Sequence, residues 1–185
     1  MTRSLGPTEL KRLHRSWRRR TSGRVALLLD GVQNPFNIGA IARSAAAYGV
    51  QRAWLVGGDS SLRSPKVQKT ALGTERYVAW ERADELGGAL AAARADGYRL
   101  VGLELAAGAQ PLFEADLAGD VCLVIGHEER GLSAAGAQAC EALVYLPLVG
   151  RVGSLNVATA TSMALYECRR QEWSAEPPPP ATGRS

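Results

Sequence analysis

Six short apolar runs, each bounded by turn residues, alternate along this chain with segments that have helical spacing. The runs are 24–30 (RVALLLD), 52–58 (RAWLVGG), 76–80 (RYVAW), 98–105 (YRLVGLEL), 121–126 (VCLVIG) and 142–148 (ALVYLPL). Such runs show little polar alternation, so they read as strands covered on both faces. Between them lie segments rich in Ala and other small residues at 38–49, 64–73, 83–97, 133–140 and 155–171. Repeated strand–helix alternation gives an α/β fold with a mainly parallel sheet flanked by helices. The segment 108–117 reads as loop, and 155–171 is apolar or small on nearly every face, so it is expected to be buried.

The two ends differ from this body. Residues 7–23 (PTELKRLHRSWRRRTSG) place Leu10, Leu13 and Trp17 on one helical stripe, with Thr8 as the expected N-cap and Gly23 as the stop. Residues 1–24 hold eight Lys/Arg against one acid, Glu9, for +7; the whole chain is +4, so the other 161 residues sum to −3. A polyanion such as RNA is one expected partner of Lys11, Arg12, Arg15, Arg18, Arg19 and Arg20; a solvated arm is the other reading. Residues 1–23 therefore read as a basic extension, 24–173 as the folded body and 174–185 (SAEPPPPATGRS) as a disordered tail.

With 46% apolar residues among 185, the chain has enough material for one core. It has no uninterrupted apolar run of about 18 residues, and the basic N-terminus lacks the apolar segment of a signal peptide. Neither membrane nor metal is expected as a partner. Cys122, Cys140 and Cys168 are odd in number and widely spaced, which suits small buried residues in a reducing cytoplasm.

In open parallel sheets, ligands bind beyond the C-terminal strand ends. Three turns fit: 31–39 after the first strand, 126–133 after VCLVI and 146–156 after ALVY. The first offers Asn34 and Asn37, with Arg43 six residues beyond Asn37. These side chains suit a phosphate or ribose partner, or serve only as a helix cap and a surface charge. In the second, Gly126 permits close backbone approach, Glu128 and Glu129 are acids between apolar elements, and His127 reads as a hydrogen-bonding filler rather than a base. In the third, Ser154 is placed to cap the last helix, Asn156 sits in its first turn, and Leu146, Leu148 and Leu155 supply apolar surface. Apolar walls with backbone donors suit an adenine ring and a sulfonium-bearing amino acid. The phosphate-cradling patterns GxxxxGK[ST] and GxGxxG are missing from the expected places.

Taken together, NPFNIGAIARSA, LVIGHEERGLS and LPLVGRVGSLNVATATSMALYE resemble the three motifs of the SPOUT superfamily, in its SpoU/TrmH branch of RNA 2′-O-ribose methyltransferases. The resemblance spans residues 24–171. It implies a deep trefoil knot near the C-terminus, bent S-adenosylmethionine held by the knot loops, and a homodimer with active sites at the subunit interface. It assigns Asn37 and Arg43 to motif one, with the Arg as the residue activating the ribose hydroxyl. Glu128 matches motif two, and Ser154 and Asn156 match motif three. Gly126, Leu146, Leu148, Leu155 and, more loosely, Leu103 are the expected cofactor contacts. His127 departs from the Gly-Asn-Glu that is common in motif two. The target is expected to be transfer RNA, with ribosomal RNA as the alternative. A non-catalytic RNA-binding factor and a small-molecule transferase are the competing readings.

Overall fold

The computed structural model describes residues 3–57 and 62–174. Seven strands form one sheet in the order β3-β2-β1-β6-β4-β7-β5. They are β1 (Val25–Asp30), β2 (Arg52–Val56), β3 (Ala79–Ala83), β4 (Arg99–Leu103), β5 (Gln110–Pro111), β6 (Val121–Ile125) and β7 (Ala142–Tyr145). Every pairing between these strands is parallel. Six α-helices accompany them among the described residues: α1 (Pro7–Arg19), α2 (Pro35–Ala47), α3 (Pro65–Ala71), α4 (Leu86–Ala95), α5 (Ala134–Ala139) and α6 (Val157–Ser174).

The period-two geometry of a strand sends its side chains to two separate cores. Val25, Leu27 and Leu29 of β1, with Val121, Leu123 and Ile125 of β6, pack beneath α2, α3 and α6. Ala26, Leu28, Cys122 and Val124 point the other way, onto Ala89, Leu90 and Ala93 of α4. Double burial explains why these strands read as continuous apolar runs. It also accounts for the cysteines: all three are free, and burial pushes the thiols of Cys140 and Cys168 up to about 11 and about 12.

Several boundaries differ from the sequence expectation. Helix α1 is capped at Gly6, whose N–H donates to Glu9 Oε2 at 2.8 Å, rather than at Thr8, and it ends at Arg19, before Gly23. Helix α2 begins at Pro35, not near Asn37: Asn34 caps it by accepting from Phe36 N–H at 2.9 Å, and a proline suits the first turn. The strand expected at 76–80 is replaced by a 3₁₀ turn, Thr74–Tyr77, followed by β3. Leu72 and Gly73 both adopt positive φ, and Thr74 Oγ1 donates to Ala71 O at 2.6 Å, which folds the segment back before it can extend. The loop at 108–117 contains the two-residue β5, recruited to the sheet edge by β7. Helix α6 is not buried all round, since Met163 and Tyr166 are 45% and 48% exposed. The expected tail lies outside the described residues, apart from Ser174, which closes α6.

Helix α6 runs the depth of the molecule. Its 18 residues span about 27 Å at 1.5 Å per residue. Near its far end Arg169, 2% exposed, gathers three carbonyls: Tyr48 O at 2.8 Å, Gly49 O at 3.1 Å and Gly23 O at 2.8 Å. It also pairs with Glu172 at 2.9 Å. Glu172 in turn accepts from the N–H groups of Ser22 and Gly23. One guanidinium thus ties the end of α2, the entry to β1 and α6 together. Helix α1 docks at this same end, where Trp17 and Trp173 stack at 4.8 Å and Arg20 donates to Trp173 O at 3.0 Å.

Replacing Arg169 with Met keeps the volume but leaves those carbonyls without their buried donor. The variant should lose about 3 kcal/mol or more. Thermal unfolding would then shift down by roughly 6–12 °C; a shift of under about 2 °C would contradict the clamp.

Candidate active site at the C-terminal strand ends

Strand order reverses around β1, which has β2 on one side and β6 on the other. The crevice at such a switch point, beyond the C-terminal strand ends, is where an open parallel sheet accepts ligands. The three turns singled out in the sequence follow β1, β6 and β7 and converge there.

A directed chain of hydrogen bonds joins them. The carboxylate of Glu128 accepts from Asn34 N–H at 2.9 Å, Gln33 N–H at 3.2 Å and Asn37 Nδ2 at 3.1 Å. Asn37 Oδ1 then accepts from Asn156 Nδ2 at 2.9 Å. Asn156 Oδ1 accepts from Ala158 and Thr159 N–H at 2.9 and 3.2 Å, capping α6. An ionised carboxylate only accepts and a backbone N–H only donates, so the two ends fix both amide orientations. The expected cap, Ser154, makes no hydrogen bond among the described residues; Asn156, directly before the first helical residue, takes that place. Burial disfavours the Glu128 anion, but the donors from Asn37 and the 33–34 backbone outweigh it, holding the carboxyl below the usual carboxylate range.

Beside this chain lies a cavity of about 310 Å³, at the small end of ligand sites. Leu103, Gly126, Glu128, Leu146, Leu148, Ser154 and Leu155, all named from sequence, line it. Asn37 and Asn156 stand behind the wall, linked to it through Glu128. Arg43 does not line the cavity; it is exposed and makes no hydrogen bond or ion pair among the described residues. Sequence reasoning missed Glu104, which lines the cavity and accepts from Leu132 N–H at 2.8 Å. The signal was there: an acid directly after the apolar run of β4. His127 is held as a filler, its Nδ1 accepting from Glu129 N–H at 3.0 Å. Gly126, which lines the cavity, is also required by the adjoining turn. The 127–131 turn closes on itself through two bonds of 2.9 Å between His127 and Gly131, and a Cβ on Gly126 would collide with the backbone of Gly131 and Leu132.

The lining contains no Lys or Arg but three carboxylates, Glu104, Glu128 and Glu129. That set repels phosphate-bearing cofactors and suits a ligand with cationic character. Among the described residues, no cluster of His, Cys, Asp or Glu is placed to hold a metal, and no helix is long and apolar enough to cross a membrane.

Comparison with known proteins fits this geometry. Residues 24–166 match the model of the SpoU rRNA Methylase family. The chain belongs to that family. It is 38% identical over 151 residues to the 23S rRNA (guanosine-2′-O-)-methyltransferase RlmB of Xanthomonas axonopodis pv. citri, covering 82% of this chain and 60% of that protein. The SpoU methyltransferase AviRb of Streptomyces viridochromogenes, solved with AdoMet, superposes with TM-score 0.76 at 32% identity, over 83% of this chain and 62% of that one. The TrmH/SpoU tRNA modifying enzyme of A. aeolicus gives 0.75 at 26% identity, over 90% and 85%. This SpoU-family chain spans about three-fifths of the length of the curated relatives it matches.

Replacing Glu128 with Gln puts an NH₂ where one of three donors needs an acceptor. Stability should fall by about 1–3 kcal/mol in denaturant titrations. Because the folded carboxyl titrates below its unfolded value, its contribution is present above the unfolded pKa and is lost as pH drops through the folded one. Glu128→Gln should therefore flatten the acid limb of the stability profile; an unaltered limb would show that the carboxylate does not anchor the three turns.

Proposed function

We propose that this chain transfers a methyl group from S-adenosylmethionine to a ribose 2′-hydroxyl of RNA, with ribosomal RNA as the target. The observation that carries this reading is the meeting of three distant turns, through Glu128, Asn37 and Asn156, beside a cavity with apolar walls and an acidic rim. The choice of ribosomal over transfer RNA departs from the sequence expectation. It is favoured by the curated relatives, several of which are named as 23S rRNA methyltransferases.

The cavity fits the cofactor by the chemistry of its donors. Leu103, Leu146, Leu148 and Leu155 provide apolar contact for an adenine ring, Gly126 lends backbone polar groups, and the carboxylates favour a cation. When bound, the cofactor supplies an electrophilic methyl on sulfur, so the protein's task is alignment. Glu128, Asn37 and Asn156 hold the loops in register, and Ser154 presents a free hydroxyl to the site. Arg43 contacts the ribose oxygen. Its guanidinium charge stabilises the developing alkoxide. The O–CH3 bond would form as the S–CH3 bond breaks, its electron pair returning to sulfur, and the hydroxyl proton would pass to a neighbouring RNA phosphate or water.

Arg43 stands outside its own chain's cavity, so the reading includes a homodimer in which it serves a site at the subunit interface. An apolar groove of about 520 Å³ that includes Tyr48, Phe113, Met163 and Tyr166 supports a second copy on this face. The knot implied by the motifs, the contact of residues 11–20 with RNA and a cytoplasmic setting belong to the same proposal.

Labelled methyl donor with separate ribosomal and transfer RNA fractions, followed by mass spectrometry of digests, tests the function. Methylated ribose confined to transfer RNA would overturn the target, and no methylated ribose in either would overturn the activity. Arg43→Ala should cost at least about a hundredfold in turnover, while calorimetry shows nearly unchanged cofactor affinity. Near-normal turnover would remove Arg43 from the chemistry.

A further inference from the structure

The basic helix α1 lies far from the chemistry. It docks on Trp173, at one end of α6, whereas Asn156 and the cavity lie at the other, about 25 Å away by helical rise. An RNA held only by α1 would not be gripped beside the cavity of the same chain. The cavity itself offers no cation. A second positive surface near Arg43 is needed, and the fold provides one.

Helix α3 and the Thr74–Tyr77 turn both pack on α2, the helix that carries Arg43. The contact is unusually close at Gly39, where a Cβ would stand 2.5 Å from Val67 O and 2.8 Å from Thr70 Cβ. Arg43 is four residues beyond Gly39, hence on the same side of α2, one turn along. The segment 62–77 holds Arg63, Lys66, Lys69 and Arg76 against the single acid Glu75, for +3. Val67 and Ala71 face inward and are fully buried, which leaves Lys66 and Lys69, three residues apart, together on the outer face. Neither lysine makes a hydrogen bond or ion pair among the described residues. On the adjoining Thr74–Tyr77 turn, Tyr77 is 64% exposed. Arg76 stacks over its ring at 4.9 Å and donates to its hydroxyl at 2.8 Å, bracing it while both remain open to solvent.

We infer that α3 and the Thr74–Tyr77 turn form a second RNA-binding surface, flanking Arg43 and distinct from α1. It rests on the RNA methyltransferase reading above. Lys66 and Lys69 take backbone phosphates beside the target ribose, and Tyr77, held by Arg76, stacks on an unpaired neighbouring base. Mobile, well-hydrated ammonium groups suit phosphates, and an exposed aromatic face is a platform for single-stranded RNA. The surface selects a nucleotide in a loop or bulge over one in a continuous duplex.

The test uses the full chain and fragmented bacterial 23S ribosomal RNA, with affinity measured by filter binding across a KCl series. Cofactor binding is followed separately by calorimetry. Lys66→Ala with Lys69→Ala should weaken RNA binding at least tenfold and reduce the steepness of log affinity against log salt by about 1.4–1.8, the share of two phosphate contacts. Tyr77→Ala should weaken binding by roughly fivefold or more with the slope unchanged. Both changes are at exposed positions, and equal melting temperatures verify folding. Unchanged affinity and slope in both variants, with wild-type RNA and cofactor binding intact, overturn this surface alone. A wild-type protein that binds no RNA overturns the functional reading and this surface with it.

Discussion

A single carboxylate organises the site. Glu128 accepts from three donors on the turn after β1, and through Asn37 it sets the orientation of Asn156, which starts α6. Each bond depends on the direction of the one before it. Losing any one of these bonds would unlink one of the loops from the others. The arrangement therefore favours one register of the three loops, and with it one cavity shape.

The rest of the molecule keeps those loops at the same level. A sheet buried on both faces fixes the heights of β1, β4, β6 and β7 through parallel ladders. Arg169 does the equivalent for the helices, tying α2 and α6 together at the end away from the site. Between these fixings, Ser44 and Ser162 share a hydrogen bond of 2.6 Å across the two helices. Asn37 and Asn156, one on each helix, thus meet without needing long flexible loops.

Much of this was legible in the chain. Apolar runs located five of the seven strands, because double burial removes the polar alternation that would blur them; β5 escaped because two residues carry no pattern. The run at 76–80 misled because Tyr77 and Trp80 have strand propensity, while positive φ at Leu72 and Gly73 is invisible to propensity and starts a turn instead. The candidate site residues were named through their motifs, but their local contacts were harder to read. Ser154 has the chemistry of a cap, yet the helix begins three residues later and Asn156 caps it. Gly126 looked like a place for a ligand, although the adjoining turn already requires a glycine. Arg169 gave no sequence signal, since an arginine in a helix normally reads as surface.

Helix α6 also acts as a ruler. Its first turn borders the candidate cavity and its last anchors the arginine-rich arm, so within one chain any ligand touching both must bridge their fixed separation.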